Sequence, residues 1–343
     1  MNFNEIIILM DYKNVFGSKH FAKPYRSGFD KNKIKDYLEK EGFKATFVRF
    51  NDIELSHELK NKIVIYTSSE DIGYYYKSFI EDIVLGLENV GAVTIPNFKF
   101  LRANNNKVFM EILRQQSSLE SIKNIKSRFY GVLEEVLNDK DLKSGEYPKV
   151  LKLAEGATGK NVVLAYNYND LIKKVKKLCR TRNIYFDLWD FGRSLKHKGY
   201  IRESLYRKKF IVQNFIEGLH NDWKVLVYGS KCYVLYRRNR KKDFRASGSG
   251  HFLFQKDIPE GLLDYAYSIK KHFNVPHISL DIGFDGTNFH LLEFQFIYFG
   301  TFTIEEAPFY FYLKDQKWEF KEERSDLENV YVQSIIEYLK EFL

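Results

Sequence analysis

Three strand-forming stretches between residues 210 and 296 constrain the fold of this chain most, because each carries polar residues at set positions. The first stretch, residues 210–217, begins apolar and becomes polar where the strand is expected to end. The second and third, residues 222–236 and 279–295, are predicted hairpins that each turn at a glycine. Cations stand at strand ends in the first half of this region, and side-chain oxygen atoms stand along the strands in the second. This arrangement suits a nucleotide bound with a metal ion, because cations face phosphate oxygens while oxygen ligands hold the metal.

The alternation of side chains along a strand predicts which of these polar residues lie together. Residues two apart share a face, so Asp222 and Lys224 point the same way. Glu293 and Gln295 likewise share a face of the third stretch, and Asp281 lies on the opposing strand. Carboxylate and amide oxygens are suitable ligands for Mg²⁺, and polar groups among Leu, Ile and Phe are costly to bury without such a purpose. We therefore predict a metal site here, with an exposed hairpin face as the alternative.

A glycine-containing loop lies between two further predicted strands. The strand over residues 148–153 leads into Gly156 and Gly159, and a return strand follows over residues 161–164. The backbone N–H groups of such a loop can fold over phosphates. The loop is not a Walker motif, which needs Gly-x-x-x-x-Gly-Lys-Ser/Thr at the start of a helix. A plain hairpin turn is the alternative interpretation.

With these motifs in this order, the sequence resembles the ATP-grasp superfamily, and most of all its branch of glutathione synthetases and ribosomal-protein glutamate ligases. The resemblance implies an α/β (α+β) chain with the ATP-grasp fold. Its parts would be an N-terminal Rossmann-like pre-ATP-grasp domain, a central lid subdomain with a linker helix, and a C-terminal antiparallel-sheet subdomain with the metal site, over residues 1–100, 101–212 and 213–343. The sequence departs from the family pattern at Ser247 and Gln295, which stand where the pattern has Asn.

The resemblance also implies a role for each site residue. Residues 213–216, the hinge of the family pattern, would offer backbone groups to adenine, and Asp222 would accept hydrogen bonds from the ribose. Lysines would contact the phosphates under the loop that contains Gly156 and Gly159, which corresponds to the family's flexible lid. The implied nucleotide-binding residues are Lys107, Lys152, Gly156, Gly159, Gln213, Asn214, Phe215, Ile216, Asp222 and Lys224. The implied catalytic residues are Arg237 and Arg245, forked cations for the γ-phosphate and the acyl phosphate. The implied metal ligands are Asp281, Glu293 and Gln295.

The resemblance implies that the protein is an ATP-dependent carboxylate–amine ligase. A carboxylate–thiol ligase is the less favoured option. Such an enzyme forms an acyl phosphate and releases ADP and phosphate. Its cofactors would be ATP and Mg²⁺, with two metal ions expected and Mn²⁺ as a possible substitute. Its substrates would be a carboxylate and an amine. The alternatives are a kinase on the same fold, a catalytically silent nucleotide-binding protein, and a basic protein that binds nucleic acid.

The first hundred residues are expected to alternate strands and helices, which favours a parallel sheet. Ligands of such sheets bind at the carboxyl ends of the strands. The loops at residues 11–30 and 67–71 are therefore candidate substrate contacts, with simple polar connections as the alternative. Further along, we expect residues 101–116 to form the next helix, with Asn104, Asn105 and Asn106 as candidate caps and Lys107 in its first turn, and residues 117–138 to be helical.

The formal net charge of +9 raises the question of a nucleic-acid partner. Positive charge concentrates at residues 173–182, 193–209 and 237–245. The first of these runs is typical of an amphipathic helix with a solvated basic face, and the third lies between two nucleotide-site motifs. Residues 183–209 mix aromatic and basic residues, which is compatible with nucleic-acid binding, a packed connection or a wall for an anionic acceptor.

No stretch approaches the ~18–20 apolar residues of a membrane span. The N-terminal residues lack the pattern of a signal peptide, and Cys179 and Cys232 lack metal-ligand spacing. We therefore expect a cytoplasmic protein without a membrane partner. A nucleic-acid partner is the less favoured option, and a homodimer is left open.

Overall fold

The structure is a computed structural model that describes residues 5–156, 159, 161–181, 183–239, 245 and 250–342. The chain divides into two units. The first unit contains residues 1–104 and 219–343, and the second contains residues 105–218. The division into three parts that the sequence suggested stays a prediction.

The N-terminal part of the first unit is a parallel sheet with helices, as the alternating pattern predicted. Its four strands lie in the order β2-β1-β3-β4. The two central strands are largely buried, which suits an apolar run in a parallel sheet. The elements are β1 (Glu5–Met10), α1 (Lys31–Lys40), β2 (Lys44–Arg49), a 3₁₀ turn (His57–Leu59), β3 (Ile63–Tyr66), α2 (Tyr75–Asn89), β4 (Val93–Ile95) and α3 (Phe98–Ala103).

The second unit is a four-stranded antiparallel sheet with helices. Its strand order is β5-β8-β6-β7, and apolar side chains of one face form a core with α5 and α7. The elements are α4 (Lys107–Gln116), a 3₁₀ turn (Glu120–Ile122), β5 (Ser127–Tyr130), α5 (Leu133–Asn138), α6 (Lys140–Ser144), β6 (Lys149–Leu153), β7 (Val162–Ala165), α7 (Tyr168–Leu178), α8 (Ile184–Lys196) and β8 (Phe210–Asn214).

The predicted Asn cap before Lys107 is confirmed, but the predicted extent of this helix and the helical structure expected after it were wrong. The helix expected over residues 101–116 is two helices, because the chain turns at Asn105, whose φ is +53°, and Asn106 caps α4 by accepting a hydrogen bond from Phe109 N at 3.3 Å. The region of residues 117–138, expected to be helical, contains strand β5. Its pairing with β8, distant in sequence, decides the conformation of this short segment.

The C-terminal part of the first unit is a seven-stranded antiparallel sheet. The strand order is β13-β12-β9-β10-β14-β15, and β11 pairs with β10. The elements are β9 (Asn221–Tyr228), β10 (Lys231–Arg238), β11 (Phe252–Leu253), α9 (Leu262–Phe273), β12 (His277–Phe284), β13 (Phe289–Gln295), α10 (Phe302–Glu306), β14 (Tyr310–Lys314), β15 (Lys317–Lys321) and α11 (Leu327–Phe342). Both predicted hairpins, β9–β10 and β12–β13, are confirmed. The hairpin β14–β15 was not predicted.

The two sheets of the first unit share one apolar core. Side chains from β1, β9 and α11 meet in it, among them Ile8, Leu226 and Ile335, which are all at most 1% exposed. This packing fixes the seven-stranded sheet within its unit. Among the described residues, no helix is both long enough and apolar enough to cross a membrane.

Candidate functional site

The predicted metal ligands lie on one face of the seven-stranded sheet. On the paired strands β12 and β13, Asp281 is directly opposite Glu293, and Ser279 is opposite Gln295. On the other side of β12, Asp281 is opposite Lys224 of β9. Directly opposite residues of adjacent strands share a face, and their side chains interact. The structure therefore brings Asp281, Glu293, Gln295 and Lys224 together.

Four of the predicted residues on this face form a charge cluster: Asp222 and Arg237, which are buried, and Lys224 and Asp281, which are half-buried. Arg237 donates from Nε and Nη2 to the two carboxylate oxygens of Asp222 at 2.5 and 2.8 Å. The same guanidinium lies 2.7 Å from Oδ2 of Asp281. Lys224 Nζ donates to Ser279 Oγ at 2.9 Å and to Asp281 Oδ1 at 3.4 Å. The negative charges of the two carboxylates are thus neutralised by the positive charges of Lys224 and Arg237.

Burial and ion pairing set the protonation states in the charge cluster. Burial raises the pKa of Asp222 to about 6, although the nearby Arg237 opposes this shift. Burial also disfavours the charged form of Asp281, but Arg237 and Lys224 outweigh it and lower the pKa of that carboxyl to about 2. Burial works against charge on Arg237, yet Asp281 and Asp222 raise the pKa of the guanidinium above its ordinary value. At neutral pH the cluster therefore holds an ionised Asp281 beside a charged Arg237.

The donor set on this face fits a hard cation such as magnesium. Asp281, Glu293 and Gln295 offer oxygen atoms only, whereas zinc sites usually use Cys or His. Among the described residues, no group of three or more His, Cys, Asp and Glu side chains is arranged to hold a metal. Two carboxylates and an amide would need further oxygens from phosphate or water, which is how Mg²⁺ is usually held.

In the second unit, Lys107 and the glycine loop are in contact. Lys107 is 5% exposed, and its Nζ donates to the carbonyl oxygen of Gly156 at 3.0 Å. Gly156 N donates to Asn105 Oδ1 at 2.9 Å. Gly156 has φ +116°, a backbone conformation that other residues rarely adopt, so glycine is strongly favoured there. Gly159 also has a positive φ, and residues 157, 158 and 160 lie outside the described residues.

The pairing of β6 with β8 places Lys152 and Gln213 on one face of the four-stranded sheet. Lys152 of β6 is opposite Ile211 of β8, and Val150 is opposite Gln213. Gln213 is buried, and its Nε2 donates to Oε1 of Glu111 at 2.8 Å. The Gln213 side chain is therefore oriented by helix α4.

The other hinge residues are less buried. Asn214 is exposed, and its Oδ1 accepts a hydrogen bond from Lys149 Nζ at 2.8 Å. Phe215 and Ile216 follow the strand and are half-buried. A cleft of about 520 Å³ in this unit is lined in part by Asn214, Lys149 and Glu111. The hinge thus borders a cleft of the size that small molecules occupy.

Arg245 is described and half-buried, but the residues on both sides of it, 240–244 and 246–249, lie outside the described residues. Ser247, where the family pattern has Asn, is among them. The assignment of Arg245 as catalytic stays a prediction.

The two predicted substrate loops meet at the carboxyl ends of the parallel strands. Gly17 N donates to Thr67 Oγ1 at 3.1 Å, which joins the loop after β1 to the loop after β3. Asp11 accepts from Lys13 N at 2.8 Å and Val15 N at 2.9 Å. Asp71 accepts from Tyr76 N and Lys77 N, each at 3.1 Å, at the start of α2. Both carboxylates thus order their own loops, and substrate contact by these loops stays a prediction.

Three residues that the sequence did not assign to the site support it. These are Asn105, Glu111 and Ser279. Their side chains accept hydrogen bonds from Gly156, Gln213 and Lys224, respectively. Only Ser279 carried a usable signal, because it stands two residues before Asp281 on the same strand. The other two act across distances in sequence that a local pattern does not encode.

No protein-family model matches the sequence, and a search of curated proteins found no match. Solved structures do match over nearly the full chain. D-cycloserine synthetase DcsG is 11% identical with a TM-score of 0.55, and the match covers 98% of this chain and 99% of that one. The ATP-grasp ligase PsnB, in complex with a minimal precursor, is 12% identical with a TM-score of 0.52 over 98% of this chain and 99% of that one.

The chain therefore has the ATP-grasp fold, with a parallel N-terminal sheet and antiparallel sheets in the remainder. The fold that the sequence motifs implied is confirmed. Another PsnB structure, complexed with precursor peptide PsnA2 and AMPPNP, is 10% identical with a TM-score of 0.51, and 98% of each chain is covered.

Proposed function

We propose that this protein is an ATP-dependent ligase that joins a carboxylate to an amine through an acyl phosphate. The observation that carries the proposal is the shared sheet face. It presents Lys224 and Arg237 beside Asp281, Glu293 and Gln295, so cations for phosphate stand next to oxygen ligands for a metal. The ATP-grasp fold supports this interpretation, and PsnB, which has that fold, has been solved with Mg and ADP.

The proposed reaction has two steps. A carboxylate oxygen of the substrate attacks the γ-phosphorus of ATP, and the bond between that phosphorus and the oxygen of ADP breaks. The amine then attacks the acyl carbon, phosphate leaves, and the amine proton is lost to solvent. A thiol could replace the amine in the second step. The protein contributes positioning and neutralisation of charge, and no protein nucleophile is needed.

The residues on the sheet face have separate roles in this proposal. Asp281, Glu293 and Gln295 would hold Mg²⁺, with two ions expected and Mn²⁺ as a substitute, and the metal would neutralise charge on the phosphate oxygens. Arg237 is held in place by Asp222 and Asp281, so its charge is already oriented when phosphate arrives.

In the second unit, Lys107, Lys152 and the glycines of the lid would contact phosphates. The hinge from Gln213 to Ile216 would bind adenine through its backbone. Asp222, in the first unit, would accept from the ribose.

The test is a screen of carboxylates against amines, with ADP release measured and products identified by mass. ADP formation that needs both substrates, with an amide as product, supports the ligase. A phosphorylated product from a single acceptor would identify a kinase instead. Tight ATP binding without ADP in any mixture would identify a silent nucleotide-binding protein.

Lys152→Ala should weaken ATP binding by roughly ten- to a hundred-fold, because a charge-assisted contact to phosphate is lost. The matched control is Lys140→Ala, which removes an exposed lysine at the start of α6 in the same unit. Calorimetric titration with Mg-ATP measures both variants. Equal small effects at the two positions would mean that only diffuse surface charge is involved.

Arg245→Ala should lower single-turnover ADP formation by roughly 10²-fold, by analogy with the loss of one donor to a developing charge. ATP affinity should change much less, since such donors act mainly in the transition state. Arg245→Lys should rescue poorly, because one ammonium does not reproduce the forked geometry. If affinity and rate fall by the same factor, Arg245 is a binding residue and not a catalytic one.

A further inference from the structure

Helix α8 of the second unit has an inverted pattern of burial. All of its residues are described, and the one that is buried is a carboxylate, Asp190, at 2% exposed. Tyr200 Oη donates to Asp190 at 2.6 Å, and Arg202 Nε donates to it at 3.3 Å. Six large apolar side chains of the helix are instead between 47% and 82% exposed: Ile184, Tyr185, Leu188, Trp189, Phe191 and Leu195. We refer to these six residues as the α8 ridge.

The α8 ridge is one continuous surface. Ile184, Leu188, Phe191 and Leu195 are spaced by four, three and four residues, which aligns them along one side of an α-helix. Tyr185 and Trp189 widen this stripe on one side. A contiguous exposed apolar patch of this kind usually marks an interaction site.

Positive charge surrounds the α8 ridge in the sequence. Residues 171–209 hold thirteen Lys and Arg against three Asp and Glu, a net charge of +10. The whole chain carries +9, so all other residues together carry −1. Lys173, Lys176 and Lys177 are exposed on α7, and the Arg193 guanidinium carbon lies 3.5 Å from the centre of the Trp189 ring. The excess positive charge of the protein therefore lies in the segment 171–209, which also contains the exposed apolar side chains of α8.

We propose that the α8 ridge binds an anionic lipid surface. Apolar side chains of a short helix that lies in the interface would enter the acyl boundary, while the cations of residues 171–209 would meet anionic headgroups. Trp and Tyr suit this boundary because each has an apolar ring and a polar edge. The sequence-based expectation of no membrane partner depended on the lack of a spanning segment, and surface binding needs none.

Other occupants fit the ridge less well. Nucleic acid would be bound by stacking on aromatic rings, but three of the six ridge side chains, Ile184, Leu188 and Leu195, are aliphatic. A second copy of this chain would bring two segments of net charge +10 together, which is unfavourable.

The experiment is co-sedimentation of the full chain with vesicles of phosphatidylcholine alone or with about 30 mol% phosphatidylglycerol. Binding to the anionic vesicles should be at least about ten-fold tighter than to the neutral ones, and should weaken as salt is raised. The emission of Trp189 should shift to shorter wavelength on binding, and this shift should be absent in Trp189→Phe.

The variant Leu188→Gln/Leu195→Gln tests the apolar contact without changing charge, and Gln keeps a high helix propensity. It should lose about ten-fold or more in vesicle affinity. The matched control is Ile72→Gln, at a residue of the first unit that is 98% exposed, which should bind like the unchanged protein. Circular dichroism melting verifies that both variants are folded.

Four results would overturn the proposal. The first is the lack of binding to anionic vesicles, and the second is vesicle binding that the double Gln variant retains. The third is a dimer, seen by sedimentation equilibrium, that the double Gln substitution disrupts, because the ridge would then be covered by a second copy. The fourth is binding of a single-stranded oligonucleotide that the double variant loses while it still binds vesicles.

Discussion

Glu293→Gln is expected to reduce Mg-dependent ADP formation by at least about 10³-fold, because the charge that a metal would share with phosphate oxygens is lost. Glu293 lies opposite Asp281 on the neighbouring strand and is half-buried. Gln has nearly the same shape, so the hairpin should fold as before. The measurement is ADP formation across a Mg²⁺ titration, with thermal melting as the test of folding.

Two further variants serve as controls for the loss of activity expected in Glu293→Gln. Glu319→Gln removes an exposed carboxylate from β15 of the same sheet, and its activity should be unchanged. Gln295→Asn should also be tolerated, since it keeps an amide oxygen and restores the residue of the family pattern. Full turnover by Glu293→Gln would remove this face as the metal site. Loss of activity in Gln295→Asn would give Gln295 a geometric role that another amide does not replace.

Arg237→Ala is expected to lower the free energy of unfolding by about 3–5 kcal/mol and to abolish ADP formation. The substitution removes the cation that lies between the carboxylates of Asp222 and Asp281, and an uncompensated charge on the buried Asp222 is strongly destabilising. Asp281 would keep Lys224 at 3.4 Å, whereas Asp222 would lose both of its hydrogen bonds from Arg237. Urea denaturation measures the change in stability.

A second substitution separates the structural role of Arg237 from its catalytic one. Arg237→Ala/Asp222→Asn removes the buried charge along with its partner, so much of the lost stability should return. Asn still offers an oxygen toward a ribose hydroxyl. Single-turnover ADP formation at saturating ATP should nevertheless stay low, because the cation is still missing. If the rate recovers with the stability, Arg237 only supports the fold.

The sequence predicted the C-terminal hairpins well because their signals are local. Alternating residues place Asp222 with Lys224 and Glu293 with Gln295, and glycine turns fix where each strand reverses. The charge cluster depends on the order β12-β9-β10, which brings Arg237 and Asp281 to the two sides of one strand. That order results from pairing between segments distant in sequence, so the ion pairs were not predictable from any single stretch.

Two features were not predicted, for different physical reasons. Strand β5 has four residues and pairs with β8, whose residues lie 80 to 86 positions later, so its local sequence did not identify it. The sequence of residues 183–209 is compatible with several interpretations, since a helix with exposed apolar side chains and a buried carboxylate departs from the usual amphipathic pattern. A pattern that assumes apolar residues inside does not reveal such a surface.

The charge cluster has a consequence for the order in which ligands arrive. Asp222, Lys224, Arg237 and Asp281 sum to zero, and Glu293 makes this face slightly negative. Bare ATP, which carries about four negative charges, would gain little attraction from the face, whereas a divalent cation would be favoured. Nucleotide and metal would therefore bind with positive thermodynamic coupling, and each would raise the affinity of the other by the same factor. Free magnesium would then control how much of the protein is loaded with nucleotide, even when ATP is abundant.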